Sequence, residues 1–223
     1  MDNKNSINMI GNGELRFLNK IEKEISVIFD VGSRVDSLFA EVACEVHYFD
    51  PNPEFLDKLS QQPTKNTKSF FNSFGLSDTN STLEYFPAYQ SFVDRTETFR
   101  KLGSSHRRRI SEHTKLFELR TAKDYITKNK VEKIDFLKID TEGFEFNVLK
   151  GFGDKLSIVK YIQFEYGGCF PDAGITLTEV IDYLKSHNFE NFSCLHKGGE
   201  KPIGNIKDLA CKTTNIVCCN KNF

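Results

Sequence analysis

The sequence predicts a doubly wound, three-layer α/β fold, mostly parallel, with an antiparallel C-terminal edge. Three observations carry this. The runs Val27-Ile28-Phe29-Asp30-Val31 and Ile134-Asp135-Phe136-Leu137-Lys138-Ile139 are apolar, and each leads into a carboxylate and a glycine turn. Buried parallel strands look like this where they deliver polar groups to a site at their C-terminal ends. Strand-like runs also alternate with helical periodicities through the middle of the chain, the pattern of right-handed β-α-β crossovers. The last two strand-like runs have no helix between them, which gives an antiparallel edge.

The elements follow in order. Residues 1–25 are polar, then amphipathic from Glu14, and read as a leading helix. Val27 to Val31 is the first core strand. Asp36 to Ala43 reads as the first crossover helix, with Leu38, Phe39, Val42 and Ala43 at helical spacing and Asp36 as a cap. Cys44 to Phe49 is the second strand, stopped by Asp50-Pro51-Asn52-Pro53. Pro53 suits the start of a helix running to Ser60. Ser69 to Phe74 is the third strand, followed by Gly75-Leu76-Ser77-Asp78. Thr82 to Phe86 and Leu116 to Arg120 are short extra strands. Ala122 to Lys130 is a helix, Ile134 to Ile139 the fourth core strand, Phe144 to Leu156 a helix, and Val159 to Phe164 the fifth core strand. Leu177 to His187 is a helix with Thr176 as its N-cap. Phe189 to Leu195 and Leu209 to Cys219 form the terminal pair. Pro87 to Lys115 fits no strand or amphipathic helix. It reads as an insertion, a natural place for acceptor contacts.

The chain is expected to form one domain over residues 1–223. Hydrophobic content of 39% and charged content of 27% are those of a soluble globular protein. A net charge of -1 supplies no field for a nucleic-acid partner. No apolar run approaches the roughly 20 residues that span a bilayer, and the polar start Met1-Asp2-Asn3-Lys4 carries no secretory signal. The six cysteines lack zinc-ribbon spacing and several sit in apolar runs, so buried free thiols in a reducing cytoplasm are expected.

Several residues carry chemistry. Gly32 directly after a strand lets backbone approach a ligand, and a following helix N-terminus would favour an anion. Asp50 ends the second strand, where nucleoside-binding folds place an acid against ribose hydroxyls. Asp140, Glu142 and Glu145 cluster at one strand end, which is costly without partners. Asp140 and Glu142 are assigned to the site and Glu145 to the turn, since carboxylates also favour helix N-termini. Glu165 ends the fifth strand beside Asp140 in the expected sheet order. Paired carboxylates raise one pKa and create a general base; pairing with an arginine is the competing account. Lys138 alternates with Asp140, to pair with a carboxylate or reach the pocket. Arg100, Lys101, His106, Arg107, Arg108, Arg109, His113 and Lys115 form a basic cluster. It is either a solvated face or a surface for an anionic acceptor.

The segments FDVGS, FDPNP and KIDTEGFEFNVLKG together resemble the FkbM-type family of S-adenosylmethionine-dependent methyltransferases, from about Val27 to Gly168. The resemblance implies a class I methyltransferase fold and S-adenosyl-L-methionine as cofactor, contacted by Asp30, Gly32, Ser33, Asp50, Pro51, Asn52, Gly75 and Leu76. It implies methyl transfer to oxygen on a sugar, glycan or related small molecule. Asp140 leads the catalytic residues, with Glu142 and Glu165 beside it, and His106, Arg107, Arg109 and Lys138 are the acceptor contacts. No metal is assigned, although the three acids are hard oxygen ligands. One departure stands out: the family's second glycine is here Asp36, which favours a non-catalytic S-adenosylmethionine-binding module as an alternative. A nucleic-acid methyltransferase using the basic segment is the other. A dehydrogenase would show a fuller G-x-G-x-x-G.

Overall fold

The computed structural model describes residues 13–87, 90–94, 114–167, 169–204 and 213–223. Helix α1 (Glu14–Ile21) leads through a 3-10 turn into β1 (Val27–Val31). Then come β2 (Glu45–Phe49), α2 (Pro53–Ser60), β3 (Lys68–Asn72), β4 (Gly75–Ser77), β5 (Ser81–Tyr85) and β6 (Lys115–Thr121). Helix α3 (Ala122–Asn129), β7 (Ile134–Ile139), α4 (Glu145–Phe152) and β8 (Val159–Tyr166) follow. The short α5 (Cys169–Asp172), α6 (Leu177–Ser186), β9 (Phe189–His196), β10 (Gly199–Pro202) and β11 (Thr214–Asn220) close the series.

Eight strands form one sheet in the order β10-β9-β11-β8-β7-β1-β2-β3. β1, β2, β3, β7 and β8 run parallel to their neighbours in that row, and β11, β9 and β10 add an antiparallel edge. Connections leave β1 toward β2 and leave β7 toward β8, so the order reverses between β1 and β7. Open α/β sheets bind ligands at that switch point, outside the strand C-termini. There Asp30 pairs with Lys138 and Val31 with Ile139.

Side chains alternate across the sheet. Phe29, Val31, Leu137, Ile139, Ile162 and Phe164 face one core with α3, α4 and α6. Ile28, Val46, Tyr48 and Phe136 face the other, where α1 supplies Phe17, Leu18 and Ile21. Asp30 therefore points to the α1 face. β4, β6 and β5 form a second, three-stranded sheet, which abuts α4 so closely that a Cβ on Gly151 would lie 1.9 Å from the Ser77 carbonyl oxygen. Among the described residues no helix is long and apolar enough to cross a membrane.

The expected first crossover helix is absent. Only a four-residue 3-10 turn, Leu38–Glu41, lies between β1 and β2. Ser37, not Asp36, caps it, accepting from the Phe39 N–H (3.3 Å). The Asn66 amide then donates to the carbonyls of Phe39 (2.6 Å) and Val42 (2.8 Å), which a longer helix would need for its own bonds. Gly75-Leu76-Ser77, expected as a connection, is itself strand β4. β10 is an added edge strand, joined to β9 by a two-residue turn and starting at Gly199 with φ +123.

Candidate active site

β1 brings Asp30 and then Gly32, β2 brings Asp50, β7 brings Lys138 and Asp140, and β8 brings Glu165. Backbone bonds lace these ends together. The N–H groups of Gly32 and Ser33 both donate to the Phe49 carbonyl (2.8 and 3.0 Å), and Asp140 N–H donates to the Val31 carbonyl (2.9 Å). Gly32 sits at φ +84, and a Cβ there would lie 1.9 Å from the Asp140 carbonyl oxygen. Only glycine fits so tight a crossing.

Two cavities open on these ends. The larger encloses about 730 Å³ including its open mouth, within the roughly 300–1,000 Å³ usual for small-molecule sites. Gly32, Asp50, Pro51, Asp140, Glu142 and Glu165 line it from the main sheet. Gly75, Leu76, Tyr85, Gln90 and Phe92 line it from the second sheet and the segment after β5. Ser91 fastens that segment down: its hydroxyl donates to the Glu142 carbonyl (2.8 Å) and accepts from the Val93 N–H (2.9 Å). Phe92 packs on both Tyr85 and Phe144, with ring centroids 5.4 Å apart in each pair. The smaller cavity, about 360 Å³, is lined by Asp30, Arg34, Asp36, Ser37, Lys138 and Asp140 among others. Gly32, Arg34 and Asp140 line both.

Asp140, Glu142 and Glu165 bring carboxylate oxygens within 4.8 Å of one another, which is also the spacing of a hard-cation ligand set. A turn with Glu142 at φ +54 and Gly143 at φ +104 shapes this wall. Glu145 braces the turn from the first residue of α4. It accepts from the Thr141 N–H (2.8 Å), the Thr141 hydroxyl (3.1 Å) and the Gly143 N–H (2.9 Å). Burial pushes the Glu145 pKa up to about 7 against those amide bonds. Burial pushes Glu165 up to about 8, and the neighbouring charges of Asp140 and Glu142 add to it. Asp140 is engaged differently, its Oδ2 accepting from the Lys138 ammonium (3.2 Å). Cys169 Sγ donates to Glu142 Oε2 (3.1 Å).

Asp30 is almost fully buried. Its Oδ2 accepts from the Ser37 hydroxyl (2.6 Å), while its Oδ1 has no hydrogen-bond partner and lies 4.0 Å from Lys138 Nζ. Burial raises its pKa, opposed chiefly by Lys138. Asp50 accepts from the Asn52 N–H (2.8 Å). Burial pushes its pKa up to about 7, opposed by that hydrogen bond and by the Arg34 charge.

Asp30, Gly32, Asp50, Pro51, Gly75, Leu76, Asp140, Glu142 and Glu165, all singled out from the sequence, line one cavity or the other. Ser33 and Asn52 line neither. The Ser33 hydroxyl donates to the Asp30 carbonyl and accepts from the Phe49 N–H (3.1 Å). Asn52 caps α2 by accepting from the Glu54 N–H (3.2 Å). Lys138 lines only the smaller cavity. His106, Arg107 and Arg109 lie outside the described residues. Sequence reasoning missed Arg34, Tyr85, Phe92 and Phe144. Arg34 directly follows Gly32-Ser33, so its position was legible. The aromatic residues come from elements that the second sheet and the α4 turn bring to the cleft.

A buried carboxylate oxygen without a donor needs one, and so does a buried acid whose pKa has climbed to about 7. An ammonium on Asp30 and a ribose diol on Asp50 would supply them, so these residues fit S-adenosylmethionine. A doubly wound sheet with this site at its switch point, and with β11 and β9 antiparallel beyond β8, is a class I methyltransferase fold. Residues 30–190 match the family model described as the methyltransferase FkbM domain, well over half of the chain, and the chain belongs to that family. The cofactor of the family is S-adenosylmethionine.

Among curated proteins, the hexuronic acid methyltransferase AglP of Haloferax volcanii is 23% identical over 155 residues. The match takes in 68% of this chain and 60% of that relative's length. Two solved structures are similar at 11% identity over 92% of this chain. One is an rRNA methylase from Streptococcus thermophilus, with TM-score 0.45 over 95% of its chain. The other is the plantazolicin methyltransferase BpumL in complex with SAH, with TM-score 0.47 over 80% of its chain. The fold assignment rests on the strand order and the family match rather than on these two.

Proposed function

We propose that the chain is an O-methyltransferase that methylates a hydroxyl of a sugar or related polyhydroxylated small molecule. The observation that carries this is the convergence of Asp140, Glu142 and Glu165 on one wall of the larger cavity, beside Gly32 and Asp50. Carboxylates accept hydrogen bonds from hydroxyls, and Tyr85, Phe92 and Phe144 offer ring faces to the C–H surface of a sugar. The sugar acceptor in the name of AglP agrees with this reading. The same acids would repel a phosphate backbone, which disfavours a nucleic-acid acceptor. His106, Arg107 and Arg109 remain the candidates for an anionic group on the acceptor. Buried Cys44, Cys169 and Cys218 support a reducing cytoplasm as the setting.

Asp50 would hold the ribose, Asp30 the ammonium, and Pro51 and Leu76, with Phe55 of α2 on the same cavity wall, the base. The bound cofactor supplies an electrophilic methyl group, and its transfer leaves the acceptor's hydroxyl proton to be taken up. Glu165 is the stronger candidate for that proton, which reverses the order expected from sequence. Its pKa lies near 8, whereas Lys138 already engages Asp140. Asp140 and Glu142 then orient the hydroxyl. A positioned base contributes roughly 10²–10⁴-fold. Glu165→Gln is expected to lower single-turnover rate by about that factor, with affinity for S-adenosylhomocysteine unchanged. In the wild type the rate should climb with pH and level off below about 8, since the cofactor's sulfonium favours ionised Glu165; the variant should lack that rise. Normal turnover in a folded Glu165→Gln chain would remove the base role.

A further inference from the structure

The loop after β1 has lost the usual means of holding an anion. In a doubly wound fold a glycine turn opens directly into a helix, whose free N–H groups and dipole favour negative charge. Here no α-helix follows Gly32, and the 3-10 turn Leu38–Glu41 is a single short coil with Ser37 engaged at its start. The first three amides after β1 are engaged too. Gly32 and Ser33 donate to the Phe49 carbonyl, and Arg34 donates to the Gly32 carbonyl (3.0 Å). A ligand carboxylate arriving beside Asp30 would find the three amides nearest the glycine turn already engaged.

We propose that the Arg34 guanidinium replaces the missing helix N-terminus and holds the carboxylate of the cofactor's methionine moiety. The inference rests on the S-adenosylmethionine reading of the site. Arg34 and Lys138 are the cations that line the two cavities. Lys138 is held between Asp140 (3.2 Å) and Asp30 (4.0 Å). Arg34 makes no ion pair among the described residues and stands where the two cavities share their lining. The ammonium and carboxylate of an amino acid sit on one carbon, so their partners must be neighbours. Asp30, with its orphaned Oδ1, and Arg34 line the same small cavity. A planar guanidinium also matches a carboxylate with two parallel hydrogen bonds. The second glycine of the family turn, replaced here by Asp36, is dispensable once a side chain rather than a helix receives the anion.

The test is calorimetric and needs no turnover. Wild type, Arg34→Ala and Arg34→Lys are titrated with S-adenosylhomocysteine and with its decarboxylated analogue, which keeps the ammonium and lacks the carboxylate. Arg34→Ala should weaken S-adenosylhomocysteine binding on the order of 10- to 100-fold, the size expected for a charged hydrogen-bonded pair. It should leave the analogue's affinity unchanged, which also shows that the variant is folded. Arg34→Lys should fall between, because an ammonium keeps the charge and loses the fork. Added salt should weaken S-adenosylhomocysteine binding in the wild type more than in Arg34→Ala. Equal losses for both ligands, or no loss for S-adenosylhomocysteine, overturn the assignment. A wild-type chain that binds neither ligand sinks the cofactor reading and this inference with it.

Discussion

Replacing Asp50 with Asn separates what the cleft needs from what the fold tolerates. Asp50 is 5% exposed, and burial lifts its pKa from 3.8 to about 7. Between those values the folded chain binds more protons than the unfolded one. Stability therefore falls as pH rises from about 4 to about 7, and the loss is complete above that. Roughly three pH units at about 1.36 kcal/mol each sets an upper figure of ~4 kcal/mol. Water at the open mouth of the cleft reduces this to ~2 kcal/mol. Asn keeps an oxygen for the Asn52 N–H and cannot ionise. Urea unfolding at about pH 5 should place the variant ahead of wild type by under ~1 kcal/mol, and at about pH 8.5 by ~2 kcal/mol. Affinity for S-adenosylhomocysteine should move the other way, falling by about 1–3 kcal/mol as a charged acceptor is lost. A variant destabilised equally at both pH values would show that the buried charge carries no strain. Unchanged affinity would remove Asp50 from the cofactor site.

Two further outcomes follow from the geometry. Gly151→Ala should lower the melting temperature, with a net loss of ~2 kcal/mol, because contact with the Ser77 carbonyl outweighs the gain of about 1 kcal/mol that Ala brings to a helix; a higher melting temperature would mean that α4 and β4 are not in contact. S-adenosylmethionine carries a sulfonium where S-adenosylhomocysteine is neutral, and a cation beside Glu165 favours its ionised form. Near pH 7.5 the charged cofactor should therefore release roughly half a proton more on binding, read by calorimetry in buffers of different ionisation enthalpy; equal proton release would place Glu165 away from the methyl group.

The sequence made the sheet legible because its strands are apolar runs with sharp ends. Val27–Val31, Ile134–Ile139 and Pro53–Ser60 have the bounds that pattern and proline placement assign. The same logic failed at Asp36 to Ala43. Leu38, Phe39 and Val42 do have helical spacing, but helix formation there competes with Ser37 and with Asn66, which is distant in sequence and takes two carbonyls. No local pattern announces a long-range competitor. Site acids were legible by position at strand ends, since topology alone carries Asp50, Asp140 and Glu165 to one crevice. Their division of labour was not, because it depends on distances. Lys138 reaches back to Asp140 and inward to Asp30, and that pairing is the reason for proposing Glu165 rather than Asp140 as the base.

Unsatisfied capacity is what divides these carboxylates into structural and functional ones. Glu145 is as buried as any acid among the described residues, yet its oxygens accept two amides and a hydroxyl from the turn that it closes. It is complete without a ligand, and its burial explains a fold. Asp30 and Asp50 are buried, and Glu165 is half-buried, with fewer bonds than their oxygens can accept. Asp30 Oδ1 has no donor at all, and no hydrogen bond reaches the Glu165 carboxylate among the described residues. Such groups destabilise the free chain, and natural proteins retain that cost chiefly where a ligand relieves it. In the sheet order Glu165 stands near the end of β8 on one side, Asp30 on β1 in the middle and Asp50 after β2 on the other. A ligand that answers all of them must carry a cationic amino group, a diol and a second positive centre within one extended molecule. That requirement is met by an aminoacyl sulfonium nucleoside; a nicotinamide dinucleotide has a ribose diol for Asp50 but no amino group for Asp30, and its pyrophosphate would meet the acid at the end of the first strand instead.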